Sequence, residues 1–261
     1  MRFIIITKKH ILAVGAVLLA AASAVVGSLT IFAGSDRKLP IYCVETEKKQ
    51  IAISFDAAWG NDDTETLIDI LKEYDVPATF FVVGAWVDKY PESVKALSDA
   101  GHQVQNHSNT HPYMTKLSES QMGSEISCCN EKIEKITGVC PNLLRPPYGD
   151  YNNCVVETVE KMKMYTIQWS VDSLDWKDNA TADSIYRRVT SKVKPGSIVL
   201  FHNDAKHTPE ALPSILKTLK DGGYEFVFIN DLILKENYTI DHTGMQHKAE
   251  SIAEQQPPKE Q

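Results

Sequence analysis

The chain lacks an excess of basic residues. Its 261 residues include 27 Lys and Arg against 34 Asp and Glu, which gives a formal net charge of -7 at pH 7. Proteins that bind nucleic acids neutralise phosphates with a basic surface, and this composition does not provide one. We therefore expect no nucleic acid partner.

Cysteine is scarce, and no CxxC pair occurs among the 5 cysteines. The count is odd, and Cys128 and Cys129 are neighbours in a predicted helix, where adjacent side chains point to different faces. The spacing therefore specifies neither a zinc site nor a disulfide framework. We interpret the cysteines as small apolar residues and assign them no chemistry.

Charge is missing altogether from residues 11–34, a run dominated by Ala, Val, Leu and Ile. As a helix, this run would measure about 36 Å, enough to cross the hydrocarbon core of a bilayer. Basic residues precede it, so the sequence predicts an N-terminal transmembrane helix with the rest of the chain on the extracytoplasmic face. A cleaved signal peptide is the alternative, because Ala22-Ser23-Ala24 resembles a cleavage site; the domain would then be secreted.

The remaining sequence predicts an α/β fold. We divide the chain into a cytoplasmic stub and membrane anchor (1–34), a linker (35–50), a globular domain (51–234) and a polar, disordered tail (235–261). Within the domain, short apolar runs alternate with amphipathic stretches, as in βα units. About seven such repeats predict a distorted (β/α)7-type barrel related to the TIM barrel.

Ionisable residues follow five predicted strands, where a barrel of this type places its active site. They are Asp56, the pair His107 and His111, Arg145, the pair Asp172 and Asp175, and His202. One polar strand end would carry no information, whereas five at one rim predict a functional site.

The motifs around these residues resemble the polysaccharide deacetylase family, with its NodB homology domain (carbohydrate esterase family 4). The matching segments are Ser54-Phe55-Asp56, His107-Ser108-Asn109-Thr110-His111, Arg145-Pro146-Pro147-Tyr148-Gly149, Asp172-Ser173-Leu174-Asp175-Trp176 and Leu200-Phe201-His202. The stretch Phe55-Asp56-Ala57-Ala58-Trp59-Gly60 is similar to a subgroup associated with sporulation. The resemblance implies a hydrolase that removes N-acetyl groups from cell-wall polysaccharide of the peptidoglycan type, without an organic cofactor.

The resemblance also implies roles for individual residues. Asp56 would be the general base, oriented by Arg145, and His202 the general acid, oriented by Asp175. The other implied contacts are an oxyanion donor at the backbone N–H of Tyr148 and an apolar wall for the acetyl methyl group at Trp176 and Leu200.

A divalent metal, Zn²⁺ or Co²⁺, is the implied cofactor, with His107 and His111 as its ligands. Residues four apart share a face of a helical turn, which would let both imidazoles reach one ion. The family normally has a second aspartate after Asp56, but this chain has Ala57, which offers no donor atom. A third ligand could come from Asp62, Asp63 or Asp56 itself.

Two alternatives follow from Ala57. The site could bind a metal weakly through the two histidines and water. It could also bind none, which would leave a catalytically silent domain that binds cell-wall glycan. The sequence leaves these interpretations open.

Overall fold

The computed structural model describes residues 37–249, and its contacts group the chain from Lys38 onward into one compact unit. The strands are β1 (Cys43–Val44), β2 (Gln50–Ala57), β3 (Ala78–Val82), β4 (Gln103–Asn106), β5 (Leu143–Leu144), β6 (Tyr165–Thr166), β7 (Val171–Asp172), β8 (Ile198–His202), β9 (Glu225–Phe226), β10 (Tyr238–Ile240) and β11 (Met245–Lys248). The helices are α1 (Thr64–Glu73), α2 (Gly84–Lys89), α3 (Pro91–Asp99), α4 (Glu119–Thr137), α5 (Asn153–Lys161), α6 (Ala182–Lys192), α7 (Thr208–Asp221) and α8 (Ile229–Leu232).

The main sheet is parallel and curled, with the strand order β6-β5-β4-β3-β2-β8-β7, and β9 pairs with the first residues of β2. Its two edge strands, β6 and β7, are consecutive pieces of one segment, so the sheet curves toward itself. This arrangement is a curled half-barrel related to the TIM barrel, as predicted. The carboxyl ends of its strands form one rim, where loops can converge on a site.

Side chains of β2 alternate between two environments, as expected for a strand buried on both faces. Phe55 packs in the layer between the sheet and the helices, where it stacks on Phe80 and Phe201 with ring centroids 4.8 and 5.6 Å away. Ser54 and Asp56 point to the interior of the curled sheet, where both contact Arg145. The alternation places polar chemistry inside the curl and apolar packing outside it.

Helix α4 begins and ends as the sequence predicts. Ser118 and Gln121 form a capping box, in which each side chain bonds the backbone N–H of the other residue. Gly138 ends the helix with φ 73°, a left-handed conformation that glycine adopts without a Cβ penalty.

The predicted linker and tail are wrong for the residues that the structure describes. The supposed linker, 35–50, contains β1 and Ile41, which bridges to Ile167. The supposed tail, 235–261, contains the antiparallel pair β10 and β11, and β1 runs parallel to β11. Strand β1 pairs with β11 across some two hundred residues of sequence, whereas β10 and β11 form a local antiparallel pair. Residues 250–261 lie outside the described part.

Between residues 37 and 249, no helix combines the length and apolar character needed to cross a bilayer. The anchor predicted at 1–34 lies outside the described residues.

Candidate active site

Asp56 and Arg145 form a buried ion pair inside the curled sheet. Arg145 Nη1 donates to Asp56 Oδ1 at 2.7 Å, and its Nη2 donates to Ser54 Oγ at 2.9 Å. The guanidinium is completely buried and lies 4.1 Å from the ring centroid of Phe81. Burial alone would raise the pKa of Asp56, but the charge and the hydrogen bond of Arg145 oppose burial, and this pKa is lowered. Asp56 is therefore a carboxylate at neutral pH.

His107 and His111 converge, although not on the helical turn that their spacing predicts. Residues 107–111 form an irregular loop after β4, with positive φ at Ser108 (66°) and His111 (61°). The backbone reversal brings the two imidazole centroids to 5.0 Å in an edge-to-face arrangement. The two imidazoles lie close together as predicted, but an irregular loop brings them together and not the predicted helical turn.

Both imidazoles of this pair are neutral. Burial lowers the pKa of His107, and it lowers the pKa of His111 to about 4. His107 Nδ1 lies 2.7 Å from the carbonyl oxygen of Arg145, which can only accept, so Nδ1 carries the proton. The lone pair of His107 is therefore on Nε2, which lies 3.5 Å from Asp56 Oδ2. His111 Nδ1 is buried and has no hydrogen-bond partner among the residues that the structure describes.

His202 is held by one carboxylate at two points. Asp175 accepts the backbone N–H of His202 at 2.8 Å through Oδ2 and faces its Nδ1 at 2.8 Å through Oδ1. Thr208 Oγ1 donates to Asp175 Oδ2 at 2.7 Å and fixes the carboxylate in turn. Burial would lower the pKa of His202, but the hydrogen bond and charge of Asp175 outweigh it and raise this pKa. His202 is thereby suited to hold a proton that it can donate.

The two groups face each other across neighbouring strands. Asp56 on β2 is the register partner of His202 on β8, and adjacent strands lie about 4.8 Å apart. Both line a cleft of about 890 Å³, together with the other predicted site residues His107, His111, Tyr148, Asp175, Trp176 and Leu200. Tyr148 has φ 60° in the turn Pro147–Gly149, and its side chain is 56% exposed. Leu200 is buried, whereas Trp176 is exposed.

Comparison with known proteins agrees with this arrangement. A family model described as polysaccharide deacetylase matches residues 44–167. The peptidoglycan-N-acetylmuramic acid deacetylase PdaA of Bacillus subtilis is 36% identical over 202 residues, which cover 76% of this chain and 77% of PdaA. The chain belongs to the polysaccharide deacetylase family.

Other relatives differ in length or in activity. The uncharacterized Bacillus subtilis protein YlxY is 34% identical over 74% of this chain, which spans 60% of YlxY. A solved structure of a Bacillus anthracis pseudoenzyme of carbohydrate esterase family 4 superposes with a TM-score of 0.72 at 36% identity, covering 76% of this chain and 69% of that one. A mutant of that pseudoenzyme, described as having restored enzymatic activity, gives the same TM-score at 37% identity. The relatives of this chain therefore include a named deacetylase and a pseudoenzyme.

The polysaccharide deacetylase family uses a metal, and the donors in the described part of this chain do not complete a three-residue site for one. His107 and His111 supply two imidazoles beside Asp56, but among residues 37–249 no group of three His, Cys, Asp or Glu side chains could hold an ion. Ala57, the last residue of β2, is buried and contributes no donor. The alternative ligands Asp62 and Asp63 do not line the cleft; Asp63 lies near Asp204, and its pKa is raised by burial. The residues present fit a two-histidine site and not a three-residue one.

Glu125 supports the site and was not predicted from the sequence. Glu125 on α4 accepts the backbone N–H groups of Asn109 and Thr110 at 2.9 and 2.8 Å, and it also accepts the Thr110 hydroxyl. It thereby fixes the loop that carries His111. The contacts join residues 15 and 16 positions apart, so helical periodicity alone does not point to them.

Proposed function

We propose that this protein is a hydrolase that removes N-acetyl groups from cell-wall polysaccharide of the peptidoglycan type, at N-acetylglucosamine or N-acetylmuramic acid. The observation that carries the proposal is the pairing of an ionised Asp56 with a His202 of raised pKa on neighbouring strands of one cleft. Amide hydrolysis needs a base for water and an acid for the departing amine, and the lowered pKa of Asp56 and the raised pKa of His202 favour these two roles.

The proposed reaction uses the two groups in sequence. Asp56 removes a proton from water as its oxygen attacks the acetamide carbonyl carbon. The backbone N–H of Tyr148 stabilises the negative charge that develops on the carbonyl oxygen. His202 then donates its proton to the sugar nitrogen as the C–N bond breaks, and the products are acetate and a free amine. Leu200 and Trp176 surround the methyl group.

Arg145 and Asp175 support the proposed base and the proposed acid. Arg145 keeps Asp56 ionised although the carboxylate is buried, and Asp175 raises the pKa of His202 and orients its ring. The PdaA relative and the charge-free run at 11–34 support a peptidoglycan substrate reached on the extracytoplasmic face, from a membrane anchor or after secretion. The motif at residues 55–60 supports a role in modifying the spore or cell wall.

Acetate release tests this proposal. The full-length protein is incubated with chitin oligosaccharides and with muramic-acid-containing glycan strands, in the presence of Zn²⁺, Co²⁺ or chelator. We expect release of acetate from at least one glycan and its loss in Asp56→Asn and His202→Gln. Absence of acetate release from every glycan under all three conditions contradicts the proposal.

A second candidate function is glycan binding without hydrolysis. It is supported by the missing third ligand at Ala57 and by the similarity to a pseudoenzyme. This function predicts that calorimetry detects glycan binding that survives both chelator and Asp56→Ala, while no acetate appears.

A further inference from the structure

Trp59 is a large apolar side chain that the fold leaves in water. It is 69% exposed, the highest value among the exposed large hydrophobic residues of the described chain, and it lines the cleft. Exposed apolar surface grouped at a cleft marks a place where a ligand binds. Neither the acid–base pair nor the histidine pair requires an indole at this position.

The backbone beside Trp59 is fixed. The carbonyl oxygen of Gly60 accepts from Trp86 Nε1 at 2.8 Å and from Asn203 Nδ2 at 2.6 Å. A Cβ at Gly60 would lie 1.9 Å from Asp204 Oδ2, so the loop packs directly against the segment after β8. Trp59 is therefore presented to solvent by a rigid loop.

One face of the indole is available to a ligand. Within residues 37–249, the ring contact of Trp59 is an edge-to-face contact with His111, at 5.4 Å between centroids and 68° between planes. This contact fixes the tilt of the indole without stacking on it. A pyranose ring carries axial C–H bonds on its faces, and these pack well against an aromatic face.

A second indole lies on the other side of the acid–base pair. Trp176 is 57% exposed, lines the same cleft and follows β7. Strand β8, which ends in His202, separates β7 from β2, so the strands that precede the two indoles are about 10 Å apart. A sugar whose acetamide reaches Asp56 and His202 would have an indole on each side.

We propose that Trp59 is a sugar-stacking residue that binds the unit next to the reacting sugar, so that the cleft selects the interior of a linear glycan over a single sugar. The inference rests on the proposed function for the class of ligand. Trp59 and Trp176 together form the binding surface, and Trp59 extends this surface beyond the reacting sugar. The reacting sugar and the unit on Trp59 together make chains of two or more units bind better than a single sugar.

Binding measured across a length series tests this inference. Chitin oligosaccharides of one to six units are titrated into the full-length wild-type protein, Trp59→Ala, Trp59→Phe and the control Val139→Ala, with calorimetry as the readout. Val139 is also exposed, at 62%, but it does not line the cleft. Thermal melting of each variant checks that the fold is retained.

We expect wild-type affinity to rise from one unit to two or more. Trp59→Ala should lose about tenfold in affinity for the longer chains and flatten this dependence, whereas Trp59→Phe should retain most of it. Wild-type length dependence in a folded Trp59→Ala, or no wild-type binding to any oligosaccharide, overturns the inference. Acetate release, measured in parallel on the same series, decides the proposed hydrolysis separately.

Discussion

Arg145 can be tested by a substitution that removes its charge but keeps much of its volume. Arg145→Met eliminates the 2.7 Å bond to Asp56 and the 2.9 Å bond to Ser54, and it leaves a carboxylate that is 6% exposed without its cation. Breaking a buried ion pair from one side costs about 3–5 kcal/mol, because the remaining charge stays desolvated. We expect a loss of this size in the free energy of unfolding, measured with urea.

The double variant Asp56→Asn/Arg145→Met separates the charge from the packing. It removes both ions, so no desolvated charge remains, and we expect it to be about 2 kcal/mol more stable than Arg145→Met alone. It should have no hydrolytic activity, because the base is gone. A double variant no more stable than the single one would refute the electrostatic interpretation of this pair.

The pH dependence of the free energy of unfolding tests the role of this ion pair independently. In the wild type the pKa of Asp56 is lowered, so its contribution to stability is present above the unfolded pKa of about 3.9 and is lost as pH falls through the folded value. Arg145→Met removes the largest opposition to burial, so the pKa of Asp56 rises and protonation of this carboxylate stabilises the variant as pH falls. The stability deficit should therefore shrink from neutral to acidic pH. A deficit that stays constant over this range would contradict the reasoning.

Three further variants probe other parts of the site. Asp175→Asn removes the carboxylate that outweighs the effect of burial on His202, so the pKa of this imidazole should fall; an NMR titration that matches wild type contradicts this. Ala57→Asp should lower the free energy of unfolding by about 1–3 kcal/mol without metal, because it introduces a carboxylate at a buried apolar position. The same variant should bind Zn²⁺ about tenfold or more tightly in calorimetry, and unchanged affinity contradicts the missing-ligand explanation. Glu125→Gln should lose about 1–3 kcal/mol in urea unfolding, while Glu131→Gln, an exposed change on the same helix, should be neutral; equal effects contradict the role of Glu125.

Much of the site could be predicted because a parallel sheet turns sequence order into proximity. Asp56, Arg145 and His202 are far apart in the chain, but each follows or ends a strand of the same sheet. The carboxyl ends of those strands share one rim, so ionisable residues at strand ends meet there. The same logic applies to the capping box at Ser118, where the interaction is local and the pattern is sufficient.

What could not be predicted depends on contacts between distant residues or on unusual backbone conformations. The convergence of His107 and His111 requires positive φ at Ser108 and His111, which a spacing of four residues does not indicate. The strands at residues 43–44 and 238–248 are short; the first pairs with a segment some two hundred residues away, and the second region is a local antiparallel pair. A polar composition made the second of these regions look disordered, although its backbone hydrogen bonds are satisfied in a small sheet.

The pairing of β1 with β11 also determines where the domain can be cut. Val44 and Gln246 are register partners, and both are buried. A protein shortened at residue 234 would therefore expose an unpaired β1. It would also leave the backbone N–H of Leu234 without its acceptor, the side-chain oxygen of Gln246. The first and the last strand of the described chain lie side by side, so removing either one leaves the other without its pairing partner.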